Sequence, residues 1–182
     1  KKRTMLIAMA TGTGKTFTIV NLIYRLMKSG AAKRILFLVD RRALAAQAIR
    51  AFASFETEQG LKFNKTYEVY SQRFHQGDLE DGEAFDSTVM PESYLTNPQP
   101  GNAFVYVSTI QRMTINLFGR SSVFPSCDES PDEDARKLDI PIHAFDLIIA
   151  DECHRGYTTA EISVWRNTLD HFDAVKVGLT AT

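Results

Sequence analysis

Met9-Ala-Thr-Gly-Thr-Gly-Lys-Thr16 is the stretch on which the reading of this sequence turns. It follows Thr4-Met-Leu-Ile-Ala-Met9, a short apolar run. It opens a segment from Lys15 to Lys28 in which Phe17, Val20, Ile23, Tyr24 and Met27 recur at helical spacing before Gly30. A short uninterrupted apolar run reads as a buried parallel strand. Strand, Gly/Thr loop and helix together are the context a phosphate-binding loop requires. Gly12 and Gly14 let the backbone bend so that its N–H groups face phosphate oxygens. The helix start adds its dipole and its unsatisfied N–H groups. Lys15 supplies a cation to the β- and γ-phosphates, and the Thr16 hydroxyl suits Mg²⁺. The usual pattern has Gly or Ala where this sequence has Met9. The competing reading is a Gly/Thr turn that merely caps a helix.

The same alternation continues outward. Ile35–Val39 predicts a second buried strand, residues 42–55 a helix, Tyr67–Tyr70 a strand, Phe104–Val107 a strand and 109–118 a helix. Phe145–Ala150 predicts a strand, 160–171 a helix with Ile162, Trp165 and Leu169 on one face, and Ala174–Leu179 a final strand. Strands alternating with helices imply an α/β domain, a mostly parallel sheet with helices on both faces. Residues 75–102, with six acids and no Lys or Arg, read as a polar surface excursion. Residues 119–143, with Asp128, Glu129, Asp132, Glu133 and Asp134 around Pro131, read as a second solvated loop.

A second chemical signal stands at the end of the predicted strand Phe145–Ala150. There Asp151, Glu152, Cys153 and His154 follow one another. Ligands of open α/β sheets bind at the carboxyl edge of the strands, the edge on which the phosphate loop also lies. Asp151 can hold Mg²⁺ through water, and Glu152 can orient or deprotonate an attacking water. Adjacent carboxylates repel, and a divalent cation relieves this. Alone, Asp-Glu after a strand is often a polar turn, and a lone His154 is usually structural or solvated. The phosphate loop is what makes the catalytic reading the stronger one.

With 182 residues, 44% of them hydrophobic, the chain can bury a core without disulfides. No apolar run approaches the roughly 20 residues that span a bilayer. Cys127 and Cys153 form no C-x-x-C pair, which disfavours a disulfide scaffold or a Cys-based zinc site. Their scarcity favours a reducing, cytoplasmic location. The net charge of −1 conceals an asymmetry: residues 1–55 hold eleven Lys/Arg against the single acid Asp40. A basic segment of this kind fits a polyanionic partner or, equally, solvated helix faces.

Five strings in order resemble a superfamily 2 helicase-type motor: Ala10–Thr16, Leu38–Gln47, Ser108-Thr-Ile-Gln-Arg112, Asp-Glu-Cys-His (151–154) and Gly178–Thr182. Val-Asp-Arg-Arg, Asp-Glu-Cys-His-Arg-Gly-Tyr and Val-Gly-Leu-Thr-Ala-Thr resemble most closely the R subunit of type I restriction-modification enzymes. The resemblance implies a RecA-like P-loop domain working as an ATP-driven double-stranded DNA translocase. It implies nucleotide binding by Thr11, Gly12, Thr13, Gly14, Lys15 and Thr16, with Lys15, Asp151 and Glu152 catalytic. Thr16 and Asp151 would hold Mg²⁺, and His154, Thr180 and Thr182 would couple nucleotide state to DNA. Arg41, Arg42, Thr109 and Gln111 would lie near the DNA backbone. The two arginines suit phosphate physically; the competing reading is that they cap the helix after Ile35–Val39 or pair with Asp40.

The resemblance further implies that residues 1–182 form the first RecA-like domain, truncated at both ends. A second RecA-like domain would supply arginine fingers, a nuclease domain would lie upstream, and modification and specificity subunits would be partners. Another superfamily 2 DNA motor is an alternative. So is a nucleotide-responsive module that binds DNA or a partner without turnover. Asp-Glu-Cys-His and Gly-Leu-Thr-Ala-Thr disfavour a small-molecule kinase.

Overall fold

Ile35–Val39 is buried along its whole length because helices cover both faces of the sheet in which it lies. In the computed structural model of the chain, residues 3–10, 12–74, 87–123, 132–151 and 158–181 are described. The strands are β1 (Thr4–Ala8), β2 (Arg34–Val39), β3 (Glu68–Ser71), β4 (Thr88–Val89), β5 (Phe104–Thr109), β6 (Leu147–Ala150) and β7 (Val175–Thr180). The helices are α1 (Lys15–Lys28), α2 (Arg42–Ser54), α3 (Phe63–Thr66), α4 (Glu92–Thr96), α5 (Ile110–Phe118) and α6 (Thr159–His171). Among the described residues the sheet has seven strands in the order β1-β7-β6-β2-β5-β3-β4. Every pairing within it is parallel. The expected fold class is therefore borne out.

Register explains the two cores. Side chains alternate across a strand, so Ile35, Phe37 and Val39 face the layer of α1, α2 and α3 with Val105, Val107, Leu147 and Ile149. Leu36 and Leu38 face the opposite layer with Phe104, Tyr106, Ile148, Met113 and Trp165. Each large apolar side chain buried this way contributes about 1.5–3 kcal/mol. That is why central strands covered on both sides read as unbroken apolar runs.

Local signals act as expected at several ends. Gly30 follows α1 with φ of 73°, and Gly30 N donates to the Met27 carbonyl while Ala31 N donates to that of Leu26. A β-carbon would strain this left-handed position. Thr158 and Glu161 close a reciprocal capping box at the start of α6.

Three expectations need correction. Thr4–Met9 is a strand, but an edge strand: Met5 and Leu6 are 55% and 68% exposed. Only β7 pairs with it among the described residues, and an apolar run cannot by itself report whether both its flanks are covered. Phe17, counted on the apolar face of α1, is exposed, while Ile19 takes a core place. The excursion 75–102 is not all surface. It holds β4 and α4, and Met90 and Leu95 enter the second core.

Candidate nucleotide site and the adjoining cationic edge

The phosphate loop begins where β1 stops. Met9 N donates to the Thr180 carbonyl over 3.0 Å, stitching the loop's first residue to the end of β7. Thr13 turns the loop back: its Oγ1 donates to the Ala10 carbonyl over 2.6 Å and its N to the same oxygen over 3.3 Å. Gly12 and Gly14 both have φ of 80°, a left-handed conformation that other residues enter only with strain. Gly14 is the N-cap of α1 and has no side chain with which to cap it, and the first turn holds no acid. The amino end of α1 thus keeps the donors and the positive dipole end that favour an anion.

Lys15 opens α1, and its Nζ lies 3.3 Å from Asp151 Oδ1. Both side chains are mostly buried, 15% and 14% exposed. Asp151 directly follows β6, and its N donates to the Leu38 carbonyl over 2.9 Å, which fixes the turn against β2. Thr16 is half-buried in the first turn of α1. Thr180 ends β7, with its Oγ1 donating to the Ala181 carbonyl over 3.0 Å. Because β1, β7 and β6 are neighbours, parallel pairing alone delivers Gly12–Thr16, Thr180 and Asp151 to one carboxyl edge. Thr11, Glu152, His154 and Thr182 lie outside the described residues.

This donor set fits a magnesium nucleotide. Among the described residues no group of three or more His, Cys, Asp or Glu could hold a metal ion by itself. Mg²⁺ needs none, since it is usually held by one or two carboxylates together with water and substrate phosphates.

The residues expected near DNA lie on the other half of the same edge, after β2 and β5. Arg41 is the N-cap of α2, half-exposed, with NH2 3.4 Å from Asp40 Oδ2. Arg42, Thr109 and Gln111 are buried. Of the four, Arg41 alone is exposed. Arg42 turns inward to Asp132, with Nε at 3.1 Å and NH2 at 2.9 Å from Oδ1. Thr109 is the N-cap of α5, where its side chain accepts from Arg112 N over 3.2 Å.

Sequence reasoning missed Gln72 and Asp132 as members of this edge, and gave Arg112 no role beyond its place in the string Ser108–Arg112. Asp132 belongs to the acidic run expected to be a solvated loop, but its side chain is 2% exposed. The burial of Arg112 opposes its charge, but Asp134, Tyr106 and Asp132 outweigh this and hold its pKa above the ordinary range. The hydrogen bond from Arg112 holds the Asp134 carboxyl below its usual range. Composition carried no signal for any of this, because an aspartate in an acidic run looks the same whether or not an arginine meets it.

Among the described residues no helix is long and apolar enough to cross a membrane.

The endonuclease subunit of the type I restriction enzyme EcoKI from Escherichia coli strain K12 is 35% identical over 193 aligned positions, covering 98% of this chain and 13% of that subunit. The EcoAI endonuclease subunit from Escherichia coli is 32% identical, covering 98% of this chain and 16% of its own length. The chain therefore spans about a seventh of these relatives. Two solved structures share the fold. One is a nuclease-deletion mutant of the Type ISP restriction-modification enzyme LlaGI in complex with a DNA substrate mimic, with TM-score 0.52, 22% identity and coverage of 98% of this chain and 15% of that one. The other is the Sulfolobus solfataricus SWI2/SNF2 ATPase core in complex with dsDNA, with TM-score 0.54, 11% identity and coverage of 98% and 27%. The resemblance to the R subunit of type I restriction enzymes is thus borne out, and the two solved structures bear out the fold. The profile of the family described as "Type III restriction enzyme, res subunit" matches residues 1–182 throughout, and the chain belongs to that family.

Proposed function

We propose that this chain is the first RecA-like, ATP-binding domain of an ATP-dependent double-stranded DNA translocase, within the R subunit of a type I restriction endonuclease. The observation that carries this reading is the Lys15–Asp151 pair at 3.3 Å beside the glycine-capped amino end of α1. It joins the phosphate loop after β1 to the acidic end of β6, and no purely structural turn requires that juxtaposition. Gly12, Thr13, Gly14, Lys15 and Thr16, with Thr11, cradle the triphosphate. Thr16 and Asp151 hold Mg²⁺, which supplies charge neutralisation on the phosphates when bound. Glu152 orients the attacking water and takes its proton. His154, Thr180 and Thr182 pass the nucleotide state along the sheet edge. Arg41 offers DNA a sequence-independent phosphate contact, as a translocase requires, with Arg42, Thr109 and Gln111 supporting the surface behind it. A second RecA-like domain completes the site, and modification and specificity subunits are the partners in a cytoplasmic complex.

The deciding measurement is Mg-ATP hydrolysis by the full-length protein with and without double-stranded DNA. DNA-stimulated turnover is expected. Nucleotide binding without turnover in either condition would instead assign the chain to a binding module.

A further inference from the structure

Three side chains from three separate parts of the sheet edge converge on the carboxylate of Asp132. Arg42, in the first turn of α2 after β2, donates to Oδ1 over 3.1 Å from Nε, with NH2 2.9 Å away. Gln72, just after β3, donates from Nε2 to Oδ2 over 3.1 Å. Arg112, in the first turn of α5 after β5, donates from NH1 to Oδ2 over 2.9 Å. The amide of Gln72 then faces the other way: its Oε1 accepts from Thr109 N over 2.8 Å and from Thr109 Oγ1 over 3.1 Å. Arg120 NH2 donates to the Asp132 carbonyl over 2.9 Å and so ties down the backbone of the acidic segment as well.

The energetics of such a hub favour geometry over stability. Replacing a buried ion pair by apolar groups of the same shape is often neutral or stabilising, so its stabilising value does not account for it. A carboxylate meeting two guanidinium groups and an amide does impose direction, because each planar donor is satisfied in one orientation only. β2, β5 and β3 are adjacent, and each is followed by a turn that would otherwise settle independently of the others. Asp132 fastens all three. The elements it aligns carry Arg41, the exposed N-cap of α2, and Thr109, the N-cap of α5, and neither helix has an acid in its first turn.

We propose that Asp132 is a positioning residue for DNA. Through Arg42, Gln72 and Arg112 it locks the turns after β2, β3 and β5 to one another, so that Arg41 at the start of α2 is held where it meets the phosphates of a DNA backbone. This rests on the DNA-translocase reading above and adds a group outside its contact set.

The test measures ATPase of the full-length protein against double-stranded DNA concentration, for wild type, Asp132→Asn and Gln72→Leu. Asp132→Asn keeps the shape and removes the charge. Gln72→Leu leaves both arginines paired and unhooks Thr109, and it decides the matter alone if Asp132→Asn does not fold. In both variants the DNA concentration for half-maximal stimulation should rise about tenfold, the scale of one lost charge-assisted contact. The DNA-free rate and the saturating rate should hold within about twofold of wild type. A merely structural role would lower both rates together through a smaller active fraction and leave half-saturation unchanged, which overturns the proposal. A lower half-saturating concentration also overturns it, because the acidic segment would then be competing with DNA for the arginines. If wild type shows no response to DNA, the translocase reading fails and this proposal falls with it. If wild type responds and neither variant shifts half-saturation, only the role of Asp132 fails.

Discussion

Replacing Lys15 by Met perturbs both the ion pair and the nucleotide site, and the two consequences separate by assay. Lys15 Nζ and Asp151 Oδ1 are 3.3 Å apart, with about 15% of each side chain exposed. Exposed pairs contribute about 0–1 kcal/mol, whereas removing one partner of a fully buried pair costs about 3–5 kcal/mol. A mostly buried pair lies between, so Lys15→Met without nucleotide should cost about 1–3 kcal/mol. Asp151→Asn should cost a similar amount. The double variant should lose little more than either single one, because the two share one interaction. Thermal unfolding of the full-length protein measures these losses. The second consequence concerns ligand. A fluorescent ATP analogue titrated in Mg²⁺ should bind Lys15→Met about ten- to a hundredfold more weakly, for loss of a contact of about 1.5–3 kcal/mol. In EDTA, Asp151→Asn should bind at least as tightly as wild type, since the carboxylate no longer competes with phosphate for Lys15. In Mg²⁺ that advantage should vanish. Wild-type Mg-ATP affinity in Lys15→Met would refute the phosphate-loop assignment, and fully additive stability losses would show that the pair is not coupled.

Three further outcomes are expected. Glu152→Gln in the full-length protein should bind ATP normally and hydrolyse it about 10²–10⁴-fold more slowly; normal turnover would remove Glu152 from the catalytic set. Arg41→Ala should weaken binding about equally on two unrelated duplexes and flatten log K against log[salt] by roughly 0.9; an unchanged slope would leave Arg41 as no more than the partner of Asp40. Asp146 is partly desolvated, which opposes its ionisation, but N–H groups of Arg34 and Lys33 and the Arg34 guanidinium outweigh this and hold its carboxyl below the ordinary 3.8. Its stabilising effect is then fully present above the unfolded value and is lost as pH falls through the lower folded one. Asp146→Asn should cost about 1 kcal/mol at neutral pH after allowance for solvent screening. Unfolding measured against pH should show its deficit from wild type shrinking below about pH 4, and a deficit that stays constant into acid would refute the assignment.

How much of this was legible in the residues depended on how far each cause acts along the chain. The nucleotide half rests on local causes. Gly12 and Gly14 sit where φ is positive, Lys15 begins the helix that Gly30 ends, and Asp151 follows a wholly apolar strand. Backbone sterics, helical period and strand burial act within a few residues, so their signature is contiguous. A parallel sheet then leaves one edge for all of them. The cationic half rests on meetings between distant residues, and no spacing encodes those. Arg41 and Arg42 are chemically identical neighbours, yet the helix start directs one outward and the other onto Asp132, ninety residues away. Gln72 gave no cue at all until Thr109 and Asp132 closed on it from two sides. The apolar run Thr4–Met9 is ambiguous for the same reason: its composition makes it a strand, but which flanks are covered is set by where the sheet places it. Local sterics and periodicity are written into consecutive residues, whereas burial of a polar side chain belongs to whatever the folded chain brings beside it.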